Sequence, residues 1–295
     1  MNDITACRLL YCLEQLGDMN RFRVGDEPLW PYFRYVFCTS FVAYDFSEDL
    51  LSENHPEFQL RRTVDEVFAQ FPLPDEEADE ASVLPPARQI AIPARAHAVF
   101  YARPEEHFLT TAQGEITAPI LDPWIAATRQ LAAATKIELA TAPPQFAPRR
   151  LIPTVRLAAE MEPFSPPAEL AAVAADLQAR VEKLVSMHFG VALPSLVDRL
   201  IQTWAAVETH AGLFARNLEA LNATAVFLTC YYHPAGYGLC KAAHRLGLPA
   251  IEVQHGMNGY HHWGYTHWSS FPEEKYPVFP RSEEHTSELQ SLRHL

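Results

Sequence analysis

The 295-residue sequence has no excess of basic side chains: 23 Lys and Arg stand against 36 Asp and Glu, a formal charge of −13. Nucleic acid is a polyanion whose recognition needs a basic footprint, so this balance argues against that class of partner. The five cysteines, Cys7, Cys12, Cys38, Cys230 and Cys240, form no CxxC pair. That absence leaves neither a disulfide framework nor a zinc ribbon and points to a reducing, cytoplasmic compartment. No run approaches the roughly 18 to 20 continuous apolar residues of a spanning helix. Asp3 and Glu14 flank the first short apolar run and no basic leader precedes it, against a secretory signal. Neither an HExxH zinc motif nor a G-x-G-x-x-G phosphate loop occurs, and no internal repeat is visible.

The last fifteen residues, Arg281 to Leu295, do not read as part of a fold. Arg281 to Ser291 resembles an in-frame translation of a sequencing-library adapter, and such scars are excluded from fold reasoning. The expectation is a native stretch of Met1 to Pro280 that continues in the intact gene. Without the tail, 21 basic residues face 33 acidic ones, a formal charge of −12.

A stretch of 280 residues exceeds the usual domain of about 100 to 200, so more than one folding unit is expected. Residues 1–71 read as a helical, aromatic-rich segment. Within it Pro31 suits a first helical turn, and Trp30, Phe33, Phe37, Phe41 and Tyr44 recur at the spacing of a buried stripe. Arg34 beside that stripe reads as a snorkelling arginine on a partly covered helix, with a guanidinium aimed into a cleft as the alternative. Residues 72–89 are acidic and proline-broken, a connector.

Residues 90–280 read as an α/β unit. Ile90 to Ala102 alternates like one or two strands. Asp122 before Pro123 suits a helix N-cap, with the helix running to about Ala134 and a strand from Lys136. Two amphipathic helices follow, one carrying Leu170, Leu177, Val181 and Leu184, the other Leu200, Trp204, Val207 and Phe214. His188 falls on the first stripe and reads as a hydrogen-bonded core histidine. His210 falls off the second and reads as solvated.

After Asn222, a residue suited to ending a helix, "ATAVFLTCYY" is nearly continuous apolar, as a strand covered on both faces requires. A short helix closed by Gly247 and a second apolar strand, "LPAIEVQHG", complete a βαβ unit with parallel neighbours. Ligands of open α/β sheets bind outside the carboxyl ends of the strands. Tyr231, Tyr232, His233, Gln254, His255 and Gly256 should therefore share one edge, and Glu252 in the second strand must pair or line the cleft. A strand-end histidine, with a reference pKa near 6.5, suits proton abstraction from a hydroxyl. The four histidines His255, His261, His262 and His267 have neither a recognised metal-ligand spacing nor companion carboxylates, so no metal is expected.

"LCKAAHRLGLPAIEVQHGMNGYHHWGY" followed by "KYPVFP" resembles the mid-chain segment of bacterial capsule and lipopolysaccharide glycosyltransferase-like proteins. The QHG triplet is also similar to the His-Gly motif of CDP-glycerol glycerophosphotransferases, although glutamine stands here where that motif commonly has tryptophan. The resemblance extends over about Ala223 to Pro280 and faintly over "GDEPLWPYFR". It implies a two-domain GT-B architecture of which this chain is the N-terminal, Rossmann-like, acceptor-side half. It further implies His255 as the general base, Gln254 and Gly256 as its motif neighbours, and His262 and Tyr265 near a glycan or lipid-linked acceptor. Tyr232, His233 and Glu252 line the same edge. The donor would be a nucleotide-activated sugar or polyol, a substrate rather than a cofactor, held by a C-terminal domain absent from these 295 residues, so the chain alone is expected to be inactive. Peripheral association with the inner membrane fits that role.

Two other readings compete. One is a nucleotide-sugar epimerase or hydrolase of similar shape. The other is a non-catalytic module of a polysaccharide assembly complex, in which Tyr260, Trp263, Tyr265 and Trp268 form an adhesive aromatic surface or simply pack beneath a second domain.

Overall fold

The computed structural model describes residues 3–41, 56–71, 95–103, 108–140, 149–157, 164–253, 262–264, 268–269, 271–272 and 275–280. The connector 72–89 and the tail 281–295 lie outside the described residues, as do Gln254, His255, Gly256 and Tyr265.

Five strands form one parallel sheet: β1 (His97–Tyr101), β2 (Ala133–Leu139), β3 (Thr154–Leu157), β4 (Ala225–Leu228) and β5 (Ala250–Glu252), in the order β3-β2-β1-β4-β5. Strand addition thus runs outward to β3 and then restarts on the other side of β1. The protein is of the α/β class.

The sheet is covered on both faces, and the alternation of β1 shows why its sequence is almost wholly apolar. Val99 and Tyr101 join a large core with helices α1 (Asp3–Leu16), α2 (Trp30–Phe41), α5 (Ala168–Phe189), α6 (Val197–Ala220) and α7 (Pro234–Arg245). Ala98, Phe100 and Ala102 point the other way, onto Leu121 and Ile125 of α4 (Leu121–Thr128). On that second face Phe100 stacks on Phe227 of β4, ring centroids 4.7 Å apart. Val64 of α3 (Pro56–Phe68) belongs to the large core.

Local signals place several boundaries as expected. Pro31 sits in the first turn of α2, and Trp30, Phe33 and Phe37 are fully buried. Asn222 takes a positive φ of 49° just after α6, and Gly247, at 67°, just after α7. The helix α4 departs from expectation: it ends at Thr128, and β2 begins at Ala133. Pairing decides this boundary, since Ala133 N–H donates to the Ala96 carbonyl and the strand then runs in register with β1. Sheet hydrogen bonds outweigh the helix preference of the alanines. Asp122 is not the cap either. It lies inside the first turn and its carboxylate accepts from Ala118 N–H, Thr117 Oγ1 and Lys136 Nζ.

Arg34 corrects the snorkelling reading. Its side chain is fully buried, with Nη1 2.6 Å from Glu14 Oε1 and its guanidinium 3.8 Å from the Trp268 ring centroid. His210 corrects another, because it is partly buried on α6, donates through Nδ1 to the Ala206 carbonyl, and is depressed in pKa by burial. His188 is half-buried next to Phe189.

Candidate functional site: the carboxyl edge of the sheet

Chain direction puts the residues after β1, β4 and β5 along one edge. The β4–β5 pairing sets Leu228 opposite Glu252, and Val253 N–H donates to the Leu228 carbonyl at 2.7 Å. The chain leaving β5 therefore departs beside the Thr229–His233 turn that leaves β4.

That turn is built around His233. The residue is extended (φ −150°, ψ 163°) and caps α7, its Nδ1 accepting the Gly236 N–H at 3.2 Å, with Pro234 opening the helix. Gly236 is required by the close approach: a Cβ there would lie 2.5 Å from the Tyr231 carbonyl oxygen and 2.7 Å from that of Cys230. Two residues on, a Cβ at Gly238 would lie 2.5 Å from His210 Cβ, so α6 and α7 also meet through a glycine.

His233 is only 7% exposed. Burial, aided by the positive charge of Arg103 and by His210, drops its pKa to about 3. The ring stays neutral near pH 7 and cannot serve as the titrating base that a strand-end histidine suggests. Tyr101 of β1 lies 6.3 Å from it, ring to ring.

The neighbouring side chains form a second group. Tyr231 is buried and its hydroxyl donates to the Gly264 carbonyl. Burial first, then the charges of Tyr237 and Glu252, push its pKa well above the ordinary tyrosine value. Tyr232 meets His262 at 4.5 Å and Trp263 at 5.4 Å between ring centroids, and His262 Nδ1 accepts the Gly264 N–H. Glu252 is half-buried at the end of β5. So Tyr232 and His262 are in contact, and His233 and Glu252 end neighbouring strands. The described surroundings of His233 come instead from β1, from α6, and from the Cys230 backbone and Gly236 N–H of its own turn.

The aromatic-surface reading is corrected for two of its four residues. Trp263 and Trp268 are 4% and 5% exposed. Trp263 packs on Tyr35 of α2, and Trp268 on Arg34, Phe271, Tyr276 and Phe279. They pack within the chain because Glu14 fastens the segment: its carboxylate accepts from Trp30 Nε1, Arg34 Nη1, and the Ser269 N–H and hydroxyl, while Arg34 Nη2 donates to the Trp263 carbonyl. Tyr260 lies outside the described residues.

A third polar group ties α6 and α7 to the short hairpin before α2. Lys241 pairs with Glu27 and Glu208, and Arg245 with Glu208 at 2.7 Å. Burial alone would raise Glu208, but the Lys241 and Arg245 charges outweigh it and hold the carboxyl below its usual range. Beside this group, at the C-terminal end of α7, a cavity of about 560 Å³ is lined by Glu27, Glu169, Trp204, Glu208, His244 and Lys275, among others.

Arg103 and Glu14 are the residues whose part in this site sequence reasoning passed over, and His210 is the one it misread as solvated. Arg103 could have been found, because it follows β1 as directly as Tyr231 follows β4. Among the described residues no three His, Cys, Asp or Glu side chains are grouped to hold a metal, and no helix is long and apolar enough to cross a membrane. The molecule so defined is an α/β protein with a parallel five-stranded sheet and a polar carboxyl edge. No family model, curated protein or solved structure matches the chain.

Proposed function

We propose that this chain is the acceptor-side, Rossmann-like half of a two-domain GT-B-type transferase that moves a sugar or polyol phosphate from a nucleotide-activated donor to a glycan hydroxyl. The observation that carries the reading is the sheet order. Restarting at β4 beside β1 makes a switch point, where open α/β sheets keep their ligands. It also brings the end of β5, which leads straight into Gln254, His255 and Gly256, alongside His233.

With His233 held neutral, the work of a base falls to His255, which takes the acceptor proton as the hydroxyl oxygen bonds to the transferred group and the donor phosphate leaves. Tyr232 and His262 flank the acceptor. The donor is held by a second domain whose helix N-termini and basic side chains stabilise the departing phosphate. The chain works in the cytoplasm, peripherally at the inner membrane where lipid-linked acceptors are elongated.

The test uses the protein together with the donor-binding second domain that this reading requires. His255→Ala should abolish transfer from a labelled nucleotide donor while donor binding stays within about twofold. Unchanged turnover would remove His255 from the mechanism.

A further inference from the structure

His233 is satisfied on one side of its ring only. Nδ1 accepts the Gly236 N–H, so in the neutral ring the proton sits on Nε2, which becomes a donor. The pKa near 3 keeps the ring neutral through neutral pH. Yet Nε2 is buried and has no hydrogen-bond partner. A buried donor without an acceptor is costly, and buried polar groups in folded proteins are otherwise almost always paired.

The surroundings narrow what the missing acceptor is. Gly236 N–H occupies Nδ1, so Nε2 faces away from the start of α7. The ring lies beside Tyr101 at the end of β1, and Arg103 follows two residues beyond that strand. Arg103 is half-buried where the chain leaves β1, and its charge acts on both His233 and Tyr35. His210, the other group acting on His233, is depressed by burial and contributes no negative charge near neutral pH. A neutral N–H donor and a guanidinium at the junction of β1 and β4 suit an oxygen atom bearing negative charge.

The geometry points to an oxyanion subsite at the carboxyl ends of β1 and β4, in which His233 Nε2–H donates to one oxygen of a phosphoryl or carboxylate group and Arg103 balances its charge. The subsite rests on reading this edge as a ligand cleft but requires no transfer chemistry. In the transferase it would seat an anionic group of the substrate and leave proton abstraction to His255.

The test is a titration of the [15N]histidine-labelled chain with inorganic phosphate, acetate and glucose, following the His233 ring nitrogens by NMR. Nε2 should carry its proton from pH 5 to 8, and its signal should shift saturably with phosphate or acetate and not with glucose. The tighter of the two anions then identifies the source as phosphoryl or carboxylate. His233→Asn keeps a side-chain acceptor for capping α7, while its NH2, bonded directly to Cγ, stops one atom short of the Nε2 position. It should weaken anion binding about tenfold or more, as should Arg103→Gln, with the far-ultraviolet circular dichroism of both variants unchanged. The subsite is overturned if neither anion moves the Nε2 signal, if glucose moves it equally, or if both variants bind like the parent. Anion binding that survives alongside an active His255→Ala protein would keep the subsite and sink the transferase reading. Absent anion binding with an inactive His255→Ala protein would do the reverse.

Discussion

Replacing Glu14 by glutamine preserves shape and removes one negative charge, and the structure sets how much that should cost. The two Glu14 oxygens accept four hydrogen bonds, from Trp30 and Arg34 on Oε1 and from the Ser269 N–H and hydroxyl on Oε2. A glutamine offers one oxygen and one NH2, so whichever way it turns the NH2 meets at least one donor that cannot accept: Trp30 and Arg34 on one side, the Ser269 N–H on the other. The side chains of Arg34 and Glu14 are 0% and 1% exposed, and Arg34 would lose the carboxylate it pairs with while staying buried. Breaking a buried pair in this way costs about 3–5 kcal/mol, against roughly 0–1 kcal/mol for a solvated pair. Urea unfolding followed by tryptophan fluorescence should show that loss, with the emission of Trp263 and Trp268 red-shifted before the main transition. Replacing both partners, Glu14→Leu with Arg34→Met, should recover part of the loss, because no charge then remains buried. A Glu14→Gln loss below about 1 kcal/mol would show that water reaches the pair, and that residues 263–269 are not fastened to α2.

Acid should act through His233: its folded pKa near 3 lies below the unfolded value of about 6.5, so between those values the unfolded chain binds more protons. Its share of stability therefore falls as pH drops below 6.5, by at most about 1.4 kcal/mol per unit, and His233→Asn should narrow its gap from the parent over that window; a gap constant with pH would refute the assignment. Gly238→Ala should separate α6 from α7 and cost about 1–3 kcal/mol, whereas Gly212→Ala, where the nearest atom to a new Cβ is a flexible arginine nitrogen 3.7 Å away, should be neutral or stabilise by up to about 1 kcal/mol; thermal melts of the two decide. Cys12, pushed by burial up to about 12, and Cys240, pushed well above the thiol range, should resist iodoacetamide in the native state and react only in denaturant.

What could be read from sequence was set by near neighbours along the chain. The stripes of α5 and α6, the Pro31 helix start, the turn residues Asn222 and Gly247, and the β4–α7–β5 unit all follow from signals within a few residues. The pairings that organise the site span far greater distances. Glu14 reaches Ser269 across 255 positions and Arg34 reaches Trp263 across 229. Arg34 therefore read as a snorkelling cation or one aimed into a cleft, and Trp263 and Trp268 as an adhesive surface or as packing beneath a second domain. The end of α4 was misplaced for a related reason, since the alanines before Lys136 join the strand beside His97–Tyr101 and no local signal announces that partner. His233 was placed at the carboxyl edge, but its burial and the Arg103 and His210 charges that act on it have no signal in the residues beside it in sequence.

The reading of the carboxyl edge is tested most directly by a crystal structure of the protein soaked with inorganic phosphate and a glycan acceptor. Phosphate density should lie within hydrogen-bond distance of His233 Nε2 and Arg103, with the glycan beside Tyr232, His262 and the residues that follow Glu252. Ligand density confined to the cavity near Trp204 and His244, which is about 16 Å from His233 along α7 at the helical rise, with the carboxyl edge empty, would contradict it.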